Sequence, residues 1–334
     1  MTMNKEAEVF MKCLICESRN VLKVYSHFPG YIEGTDFEIY ECEKCDAQFV
    51  SIEHLDYSIY DIIYSDETIP GYYRYIDYLK EIKHKKNPLR YISREESSYY
   101  PIDNYLADKR NLDVLEVGCG YGYLTYSIHA LGHNVVGIDI SEKAIFSAKK
   151  HFGDYFQVVE LKDYKTDRKY DLIIATELIE HLANPSGFIS DCANLLKVDG
   201  KIILTTRNKD YYDRKSVWKT DLPPVHTVWL SKNSFMHMAD GKGLKCKFVD
   251  YTDYVGKKEN KLASYLYMKW TSNKIPKPIV DKENKVNRGK SEIYLRKVIK
   301  TVIYFAPIRY LCSYINRFLT KEHDTLGVIL SRKE

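Results

Sequence analysis

The chain has 334 residues, of which 45% are hydrophobic and 29% are charged. This composition is typical of a soluble globular protein and excludes a disordered chain, and the length indicates about two domains. The 50 Lys and Arg residues against 46 Asp and Glu residues leave a formal net charge of +4, which is too small to indicate nucleic-acid binding by itself. The longest nearly apolar run, residues 302–308, has only seven residues, whereas a membrane-spanning helix needs about 20.

Four of the eight cysteines form two Cys-x-x-Cys pairs, Cys13 with Cys16 and Cys42 with Cys45. The start of the sequence, MTMNKEAEVFMK, has no apolar segment typical of a secretion signal, so we expect a cytoplasmic protein with reduced cysteines. Four thiolates at this spacing can close a tetrahedral zinc site, and zinc would stabilise a unit of about 40 residues that buries little core. We therefore predict a zinc-ribbon-like module with a structural Zn²⁺ over residues 10–50. The alternative is four reduced cysteines without a metal.

Residues 51–110 are rich in tyrosine, isoleucine and charged side chains. Their pattern predicts helices that break at Pro70-Gly71 and before Pro88. We expect this helical segment to link the cysteine pairs to the following domain and to cover the ligand of that domain.

Residues 111–206 alternate short apolar runs with longer amphipathic segments. The predicted strands are LDVLEVG, NVVGIDI, YFQVVEL, YDLIIAT and GKIILTT, and two more are expected at 244–251 and 325–333. Intervening segments such as SEKAIFSAKKHF and PSGFISDCANLLKV have helical periodicity, and Asp199-Gly200 is predicted to end the second of these helices. The alternation predicts an α/β fold with a mostly parallel, seven-stranded Rossmann-like sheet and a core domain over residues 111–255.

The segment before the last strand is strongly basic. Residues 257–300 carry 13 Lys and Arg residues against four acids, a net charge of +9, and residues 293–319 read as an amphipathic helix interrupted at Pro307. We expect a basic helical insertion over 256–322 before a final core strand at 323–334. A solvated surface is one interpretation, and attraction to anionic lipid head groups at the inner membrane surface or to a diphosphate-bearing substrate is the other.

The sequence VLEVGCGYGYL, residues 114–124, places a glycine-rich turn between a predicted strand and a predicted helix. Glycines allow a sharp turn and a close approach of a ligand, and the amides at a helix N-terminus can face polar ligand groups. A dinucleotide fingerprint would need its third glycine at Tyr123. Glu116, two residues before the first glycine, suits a ligand with a positive amino or sulfonium group better than a pyrophosphate. Asp139, at the end of the second strand, can accept two hydrogen bonds from a ribose, since the helix N-cap is better assigned to Ser141.

These stretches, with YDLIIATELIEHLANP and LLKVDGKIILTTRN in the same order, resemble class I S-adenosylmethionine (SAM)-dependent methyltransferases. The resemblance implies that the glycine turn surrounds the methionyl part of SAM, that Asp139 binds the ribose and that Ile140 contacts the adenine. Either Glu160 or Asp163 would contact the adenine amine, and Glu177 would line the methionyl pocket. The cofactor residues implied in this way are Glu116, Gly118, Cys119, Gly120, Gly122, Asp139, Ile140, Glu160, Asp163 and Glu177.

The stretch ELIEHL places Glu180 and His181 at the mouth of the predicted sheet, and His226 lies in DLPPVHTVWLSKNSF. Similar Pro-Pro-x-His segments occur in small-molecule and sugar methyltransferases of this family. Methyl transfer to oxygen requires removal of the hydroxyl proton, which a neutral imidazole can accept near neutral pH. The predicted catalytic residues are therefore His181 or His226 as base, with Glu180 beside them. The alternative for His181 is a buried histidine that shapes the pocket.

The same residues suggest a second kind of chemistry. Together with Glu177, they resemble the divalent-metal site of small-RNA 2′-O-methyltransferases, whose oxygen and imidazole ligands suit Mg²⁺ or Mn²⁺. That pattern has another histidine beside the one at 226, where this chain has Val225. A catalytic metal is therefore an alternative to a histidine base.

A four-cysteine module before such a core resembles enzymes of surface-polysaccharide and deoxysugar pathways. This domain order implies methyl transfer to a hydroxyl of a nucleotide-linked or lipid-linked sugar, with C-methylation of a keto sugar as a close variant. An RNA methyltransferase that uses the zinc module and the basic segment, and a non-catalytic SAM-binding module, are the other interpretations. The basic segment lacks a glycine-aromatic RNA-binding motif, so nucleic acid is not the expected partner.

Overall fold

The computed structural model describes residues 11–51, 59, 63, 69, 73–211, 221–254, 277–283, 285–286 and 323–333. Its strands are β1 Val21–Pro29, β2 Asp36–Cys42, β3 Gln48–Val50, β4 Asp113–Val117, β5 Asn134–Asp139, β6 Phe156–Val158, β7 Tyr170–Thr176, β8 Leu196–Arg207, β9 Val228–Trp229, β10 Leu244–Phe248 and β11 Thr325–Arg332. Its α-helices are α1 Tyr73–Glu81, α2 Pro88–Glu95, α3 Tyr100–Leu106, α4 Tyr123–His129, α5 Glu142–Phe152, α6 Pro185–Leu195 and α7 Lys232–Asp240. Short 3-10 turns occupy Ile82–His84, Ser97–Tyr99, Leu161–Asp163, Ile179–His181 and Lys209–Tyr211.

Several predicted features lie outside the described residues. They are the break at Pro70-Gly71, the amphipathic segment 293–319 and most of the basic insertion 256–322. Within the part of the chain that is described, we find no helix with both the length and the apolar character needed to cross a membrane.

The larger sheet has seven strands in the order β10-β11-β8-β7-β4-β5-β6. The five strands from β8 to β6 are parallel, and β11 runs antiparallel between β8 and β10. The predicted α/β fold class is confirmed, and the seven predicted strands are all present. The chain passes from β4 to β5 on one side and returns to β7 on the other, and such a reversal opens a crevice at the carboxyl ends of the strands.

Two helices begin where the local sequence predicts. The Ser141 side chain accepts a hydrogen bond from the Ala144 amide at 3.2 Å, which confirms Ser141 as the N-cap of α5. Helix α2 begins at Pro88 after an Asn87 cap, so the predicted break before this proline is confirmed. Helices α1 to α3 contribute apolar side chains to a core shared with α4 and α5.

The prediction that a helix extends to Asp199-Gly200 is wrong, because α6 ends at Leu195 and β8 begins at Leu196. Leu196 pairs with Tyr170, the next pair joins Lys201 to Leu172, and the register shifts between them. A Cβ atom at Gly200 would lie 2.8 Å from the Tyr170 carbonyl oxygen, so this close approach requires glycine. Pairing with β7 therefore overrides the local helical pattern.

The smaller sheet has four antiparallel strands in the order β1-β2-β3-β9. Its last strand, β9, lies much later in the chain than the other three, since Phe49 pairs with Val228 and Gln48 with Trp229. Phe49 also belongs to the same core as Leu230 and Phe235. Apolar side chains from residues 228–235 therefore complete the core around the N-terminal residues. The predicted domain boundary at residue 50 stays a prediction.

Candidate active site and cysteine centre

The glycine turn leaves the carboxyl end of β4. Gly118, Gly120 and Gly122 have φ angles of 73°, 49° and 77°, in the left-handed region that favours glycine. A Cβ atom at Gly122 would lie 2.5 Å from the Phe156 ring, so no side chain fits there. Around Gly120 a Cβ atom would meet no atom of the described residues within 4 Å. A ligand can therefore approach the backbone of this glycine.

Asp139 ends β5, the strand beside β4, as predicted. One carboxylate oxygen accepts the Gly120 amide at 2.8 Å and the other accepts the Ser141 amide at 2.8 Å. Burial raises the pKa of this carboxyl group, although both amides favour its charged form. Asp139 thus lies against the glycine turn, and the two amides fix the orientation of its carboxylate. Each carboxylate oxygen retains a lone pair that can accept a hydrogen bond from a ligand hydroxyl.

Glu116 lies under the glycine turn and is only 3% exposed. It accepts a hydrogen bond from the Thr125 hydroxyl. Burial raises the pKa of Glu116 to about 8, and the nearby charge of Asp139 adds to the shift. The adjacent Cys119 is also buried, and burial raises its pKa. A positive ligand group here would lower the pKa of Glu116 and favour its ionised form.

Three more of the predicted cofactor residues, Ile140, Glu160 and Asp163, follow β5 and β6 at the same sheet edge. Ile140 is 70% exposed, which leaves an apolar side chain available to a ligand. Glu160 is exposed and forms an ion pair with Lys162 at 2.7 Å, and Asp163 is exposed at the end of a 3-10 turn. Both acids remain candidates for the adenine contact.

Glu177 is the first residue after β7, with a φ of 50° that is unusual for a residue other than glycine. Its amide donates to the Thr205 carbonyl oxygen at 2.8 Å, and its Oε1 accepts the Ser98 hydroxyl at 3.0 Å. Burial raises the pKa of this carboxyl group, while Arg207 and Arg74 oppose the shift. The segment before the core, which contains Ser98, therefore contacts the site.

Glu180, His181 and His226, here called the histidine cluster, converge beside Glu177. Each offers one ligand atom, and the three atoms all lie within 4.8 Å of one another. The two imidazole rings are 4.7 Å apart between centroids and inclined by 82°. The His181 Nδ1 is 2.6 Å from the Val225 carbonyl oxygen, so this nitrogen carries the proton and donates it.

The histidine cluster is incompletely hydrogen-bonded, with Glu180 and His226 buried and His181 half-buried. Glu180 is 2% exposed, and neither of its carboxyl oxygens has a hydrogen bond of good geometry among the described residues, although the nearby Thr206 side chain favours its charged form. The His226 Nδ1 also lacks one within the same part of the chain. Burial raises the pKa of Glu180 well above its usual range, lowers that of His181 and lowers that of His226 to about 3. Both imidazoles are therefore neutral near pH 7.

Asp221 is a member of this site that the sequence did not reveal. It is 4% exposed, and its Oδ1 lies 3.7 Å from the His226 Nε2. Its charge raises the pKa of His226, but burial outweighs this effect. The only available signal was its place in the stretch DLPPVH, five residues before the histidine.

The four N-terminal cysteines also converge. The Sγ atoms of Cys13 and Cys45 are 3.5 Å apart, as are those of Cys16 and Cys42, and all four lie within 4.8 Å of one another. Burial raises the pKa of Cys16 to about 11, and the Cys45 thiol lowers that of Cys13 to about 5. Four sulfur donors in this arrangement fit a tetrahedral zinc ion.

The two Cys-x-x-Cys pairs form equivalent turns. Each is closed by a hydrogen bond to the carbonyl oxygen of its first cysteine, from the Glu17 amide at 3.0 Å and from the Asp46 amide at 2.9 Å. Glu17 and Asp46 also share a left-handed backbone, with φ angles of 56° and 58°. The two pairs therefore adopt the same turn, and their four thiols converge on one centre.

Comparison with known proteins gives the following matches. A family model described as a methyltransferase domain matches residues 74–247, just over half of the chain. The ubiquinone biosynthesis O-methyltransferase of Dechloromonas aromatica is 38% identical over 112 residues, which are 31% of this chain and 47% of the relative. The protein of the same name from Nitrosomonas europaea is 35% identical over 134 residues, which are 38% of this chain and 54% of the relative. The chain thus spans about half the length of the curated relatives it matches.

Two solved structures are similar at low identity. The SAM-dependent methyltransferase from Mesorhizobium loti is 13% identical with a TM-score of 0.45, and the match covers 71% of this chain and 98% of that chain. The plantazolicin methyltransferase BpumL in complex with SAH is 16% identical with a TM-score of 0.42, and the match covers 82% of this chain and 94% of that chain.

Proposed function

The chain belongs to the methyltransferase domain family, and on this premise we propose that it transfers a methyl group from SAM to a hydroxyl oxygen of a small molecule. The observation that carries the proposal is the contact between the glycine turn and Asp139, whose Oδ2 accepts the Gly120 amide at 2.8 Å. A ribose on this carboxylate would place the rest of the cofactor along the turn. Glu116 would then lie near the positive amino or sulfonium group, and Ile140 near the adenine.

The acceptor side of the site is the histidine cluster. The acceptor oxygen attacks the methyl carbon in line as the carbon–sulfur bond breaks, neutral S-adenosylhomocysteine leaves, and the hydroxyl proton passes to a base. The Val225 carbonyl oxygen accepts the Nδ1 proton of His181, so Nε2 is the basic nitrogen of the neutral ring, and the Glu177 backbone, which also bonds this imidazole, raises its pKa. We assign the proton to His181 rather than to His226, because a pKa of about 3 makes His226 a weak base. Alignment of oxygen, methyl and sulfur supplies the rest of the rate enhancement.

A divalent cation is the second candidate for the histidine cluster, favoured by its unpartnered atoms. A buried carboxyl group without a hydrogen bond costs free energy, and a cation bound by Glu180, His181 and His226 would remove that cost. Two neutral imidazoles and a carboxylate are suitable ligands for Mn²⁺ or Mg²⁺. When bound, such an ion would lower the pKa of an acceptor hydroxyl.

The acceptor is proposed on two grounds. O-methylation is supported by the curated relatives, which are named as O-methyltransferases. A sugar hydroxyl, on a nucleotide-linked or lipid-linked sugar of a polysaccharide pathway, rests on the order of the cysteine centre and the core in the chain. We propose the sugar acceptor, with C-methylation of a keto sugar as the nearest alternative.

Incubation with methyl-labelled SAM followed by mass spectrometry tests this function. The acceptor panel contains nucleotide sugars, lipid-linked sugars, a biosynthetic precursor of ubiquinone and RNA, and Asp139→Ala serves as the cofactor-binding control. An O-methylated sugar that depends on Asp139 would support the proposal in full. Label on the ubiquinone precursor or on RNA would retain methyl transfer and contradict the sugar acceptor, and label on a sugar carbon would indicate C-methylation. Absence of SAM and S-adenosylhomocysteine binding in calorimetry would contradict the function itself.

A further inference from the structure

Thr227 directly follows His226 and connects it to the turn that carries the rest of the histidine cluster. Its side chain is fully buried. Its amide donates to the Glu180 carbonyl oxygen at 2.8 Å, and its hydroxyl lies 3.0 Å from the Leu182 carbonyl oxygen and 3.2 Å from that of Glu180. These two carbonyl groups belong to the residues before and after His181 in the chain. Thr227 therefore connects His226, its neighbour in sequence, to the turn that contains Glu180 and His181.

The backbone of Thr227 is also bonded to residues 11–50, here called the cysteine unit. The Thr227 carbonyl oxygen accepts the Val50 amide at 3.0 Å, directly before β9 pairs with β3. A few residues further along, the Cys45 carbonyl oxygen accepts the hydroxyls of Ser231 at 3.3 Å and Ser234 at 2.8 Å. The segment with His226 is thus bonded to the second Cys-x-x-Cys turn as well as to Glu180.

From these contacts we propose that Thr227 is a positioning residue for the histidine cluster and that the cysteine unit acts on the cluster through it. Loss of the Thr227 hydroxyl would remove the donor of the Leu182 carbonyl oxygen and leave the Glu180 carbonyl oxygen with the Thr227 amide alone. A lost hydrogen bond of this kind costs stability, so we expect the turn with Glu180 and His181 to shift. Displacement of a reacting group by about 1 Å can reduce a rate by about 10²-fold. Only the kinetic part of this inference rests on the proposed function.

The test compares Thr227→Val, which removes the hydroxyl at nearly constant shape, with Thr227→Ser, which retains it. Thr166→Val is the matched control, because its hydroxyl accepts the Arg168 amide in the loop before β7, whereas the turn of the cluster follows the other end of that strand. The readouts are kcat and KM, the affinity for S-adenosylhomocysteine by calorimetry, and the NMR signals of the His226 ring, assigned with His226→Gln. Circular dichroism checks that each variant is folded.

We expect Thr227→Val to lower kcat by about tenfold to a hundredfold, to move the His226 ring signals and to change the affinity for S-adenosylhomocysteine less than twofold. Thr227→Ser should restore both the rate and the signals, and Thr166→Val should match the wild type. A folded Thr227→Val protein with wild-type kcat and unmoved ring signals would overturn the positioning role. An equal loss of cofactor affinity would also overturn it, because the defect would then be general.

Cys16→Ser tests the role of the cysteine unit, and it also serves if Thr227→Val does not fold. We expect this variant to move the His226 ring signals, since the cysteine unit is bonded to the segment with His226 at Thr227 and, further along, at Ser231 and Ser234. Unmoved ring signals in a folded Cys16→Ser protein would overturn the connection between the cysteine unit and the cluster. If the wild-type protein transfers no methyl group to any acceptor, the proposed function fails, and the ring signals still decide on Thr227.

Discussion

The imidazole rings of His181 and His226 meet edge to face, 4.7 Å apart between centroids. One ring belongs to the turn after β7, and the other to the segment that leads into β9. Burial lowers the pKa of both rings, so they stand together as neutral groups next to the buried Glu180. In the sheet order, β7 lies beside β4, so this polar group adjoins the edge that holds the glycine turn and Asp139. We therefore expect the proposed acceptor site and the proposed cofactor site to lie next to each other at the carboxyl ends of these strands.

Removal of either ring should lower turnover while cofactor binding persists. We expect His181→Ala to reduce kcat by about 10²-fold or more, as loss of a general base does. His226→Ala should also lower kcat, because its ring packs edge to face on that of His181. Their affinity for S-adenosylhomocysteine should stay nearly unchanged, because Asp139 and the glycine turn are intact. Steady-state kinetics and calorimetry measure the two quantities.

His151→Ala is the matched control for this pair, since its ring bonds the Ser147 carbonyl oxygen on α5, away from the cluster. This variant should retain wild-type turnover. A parallel loss of turnover and cofactor affinity in the His181 and His226 variants would show that these rings are structural.

Glu180 gives a prediction about stability and divalent cations. Its folded-state pKa is raised by burial, so its ionisation destabilises the fold increasingly as pH rises above the unfolded-state value. Glu180→Gln should therefore raise the melting temperature more at pH 8 than at pH 5. Mn²⁺ should raise the melting temperature of the wild type by mass action and leave that of Glu180→Gln unchanged. Equal Mn²⁺ effects on both proteins, or none on either, would contradict a cation at the histidine cluster.

Local patterns in the sequence predicted the seven-stranded sheet, because each strand is a short apolar run bounded by turn residues. They also placed Asp139 at the end of the strand that follows the glycine turn. The structure brings Asp139 beside Gly120, since the carboxyl ends of adjacent parallel strands meet at one edge. The error at Leu196 arose because strand pairing with Tyr170 is a tertiary contact. The same limit applies to Thr227, whose place depends on a pairing between β3 and β9 from distant parts of the chain. Local periodicity contains no signal for such a contact.

Glu116 should make cofactor binding depend on pH. Because burial raises its pKa to about 8, this carboxyl group is mostly protonated at pH 7. A positive amino or sulfonium group nearby would favour the ionised form, so binding should release a proton at pH 7 and tighten as pH rises towards 9. Calorimetry in buffers of different ionisation enthalpy measures the released proton.

Glu116→Gln should abolish this proton release and bind SAM about tenfold more weakly at pH 9, where a charge-assisted contact is lost. The same variant should melt at a higher temperature at pH 9, since the raised folded-state pKa makes ionised Glu116 unfavourable to the fold. Glu81→Gln, at an exposed acid that pairs with Lys85 at 2.9 Å, should leave the proton release intact. If the wild type binds SAM without releasing a proton, the positive group of SAM does not lie next to Glu116.

The four-cysteine centre should contain one zinc ion per chain. Its Sγ atoms lie within 4.8 Å of one another, and each Cys-x-x-Cys turn directs its first cysteine to the same point. Elemental analysis should find about one zinc in the wild type and almost none in Cys13→Ser/Cys42→Ser, whereas Cys246→Ser on β10 should retain the metal. Since β3 shares a sheet with β9, loss of zinc should also lower the melting temperature of the whole protein. Full zinc content in the double variant would show that the metal is bound elsewhere, and an absence of zinc from the wild type would leave four reduced thiols as the state of this centre.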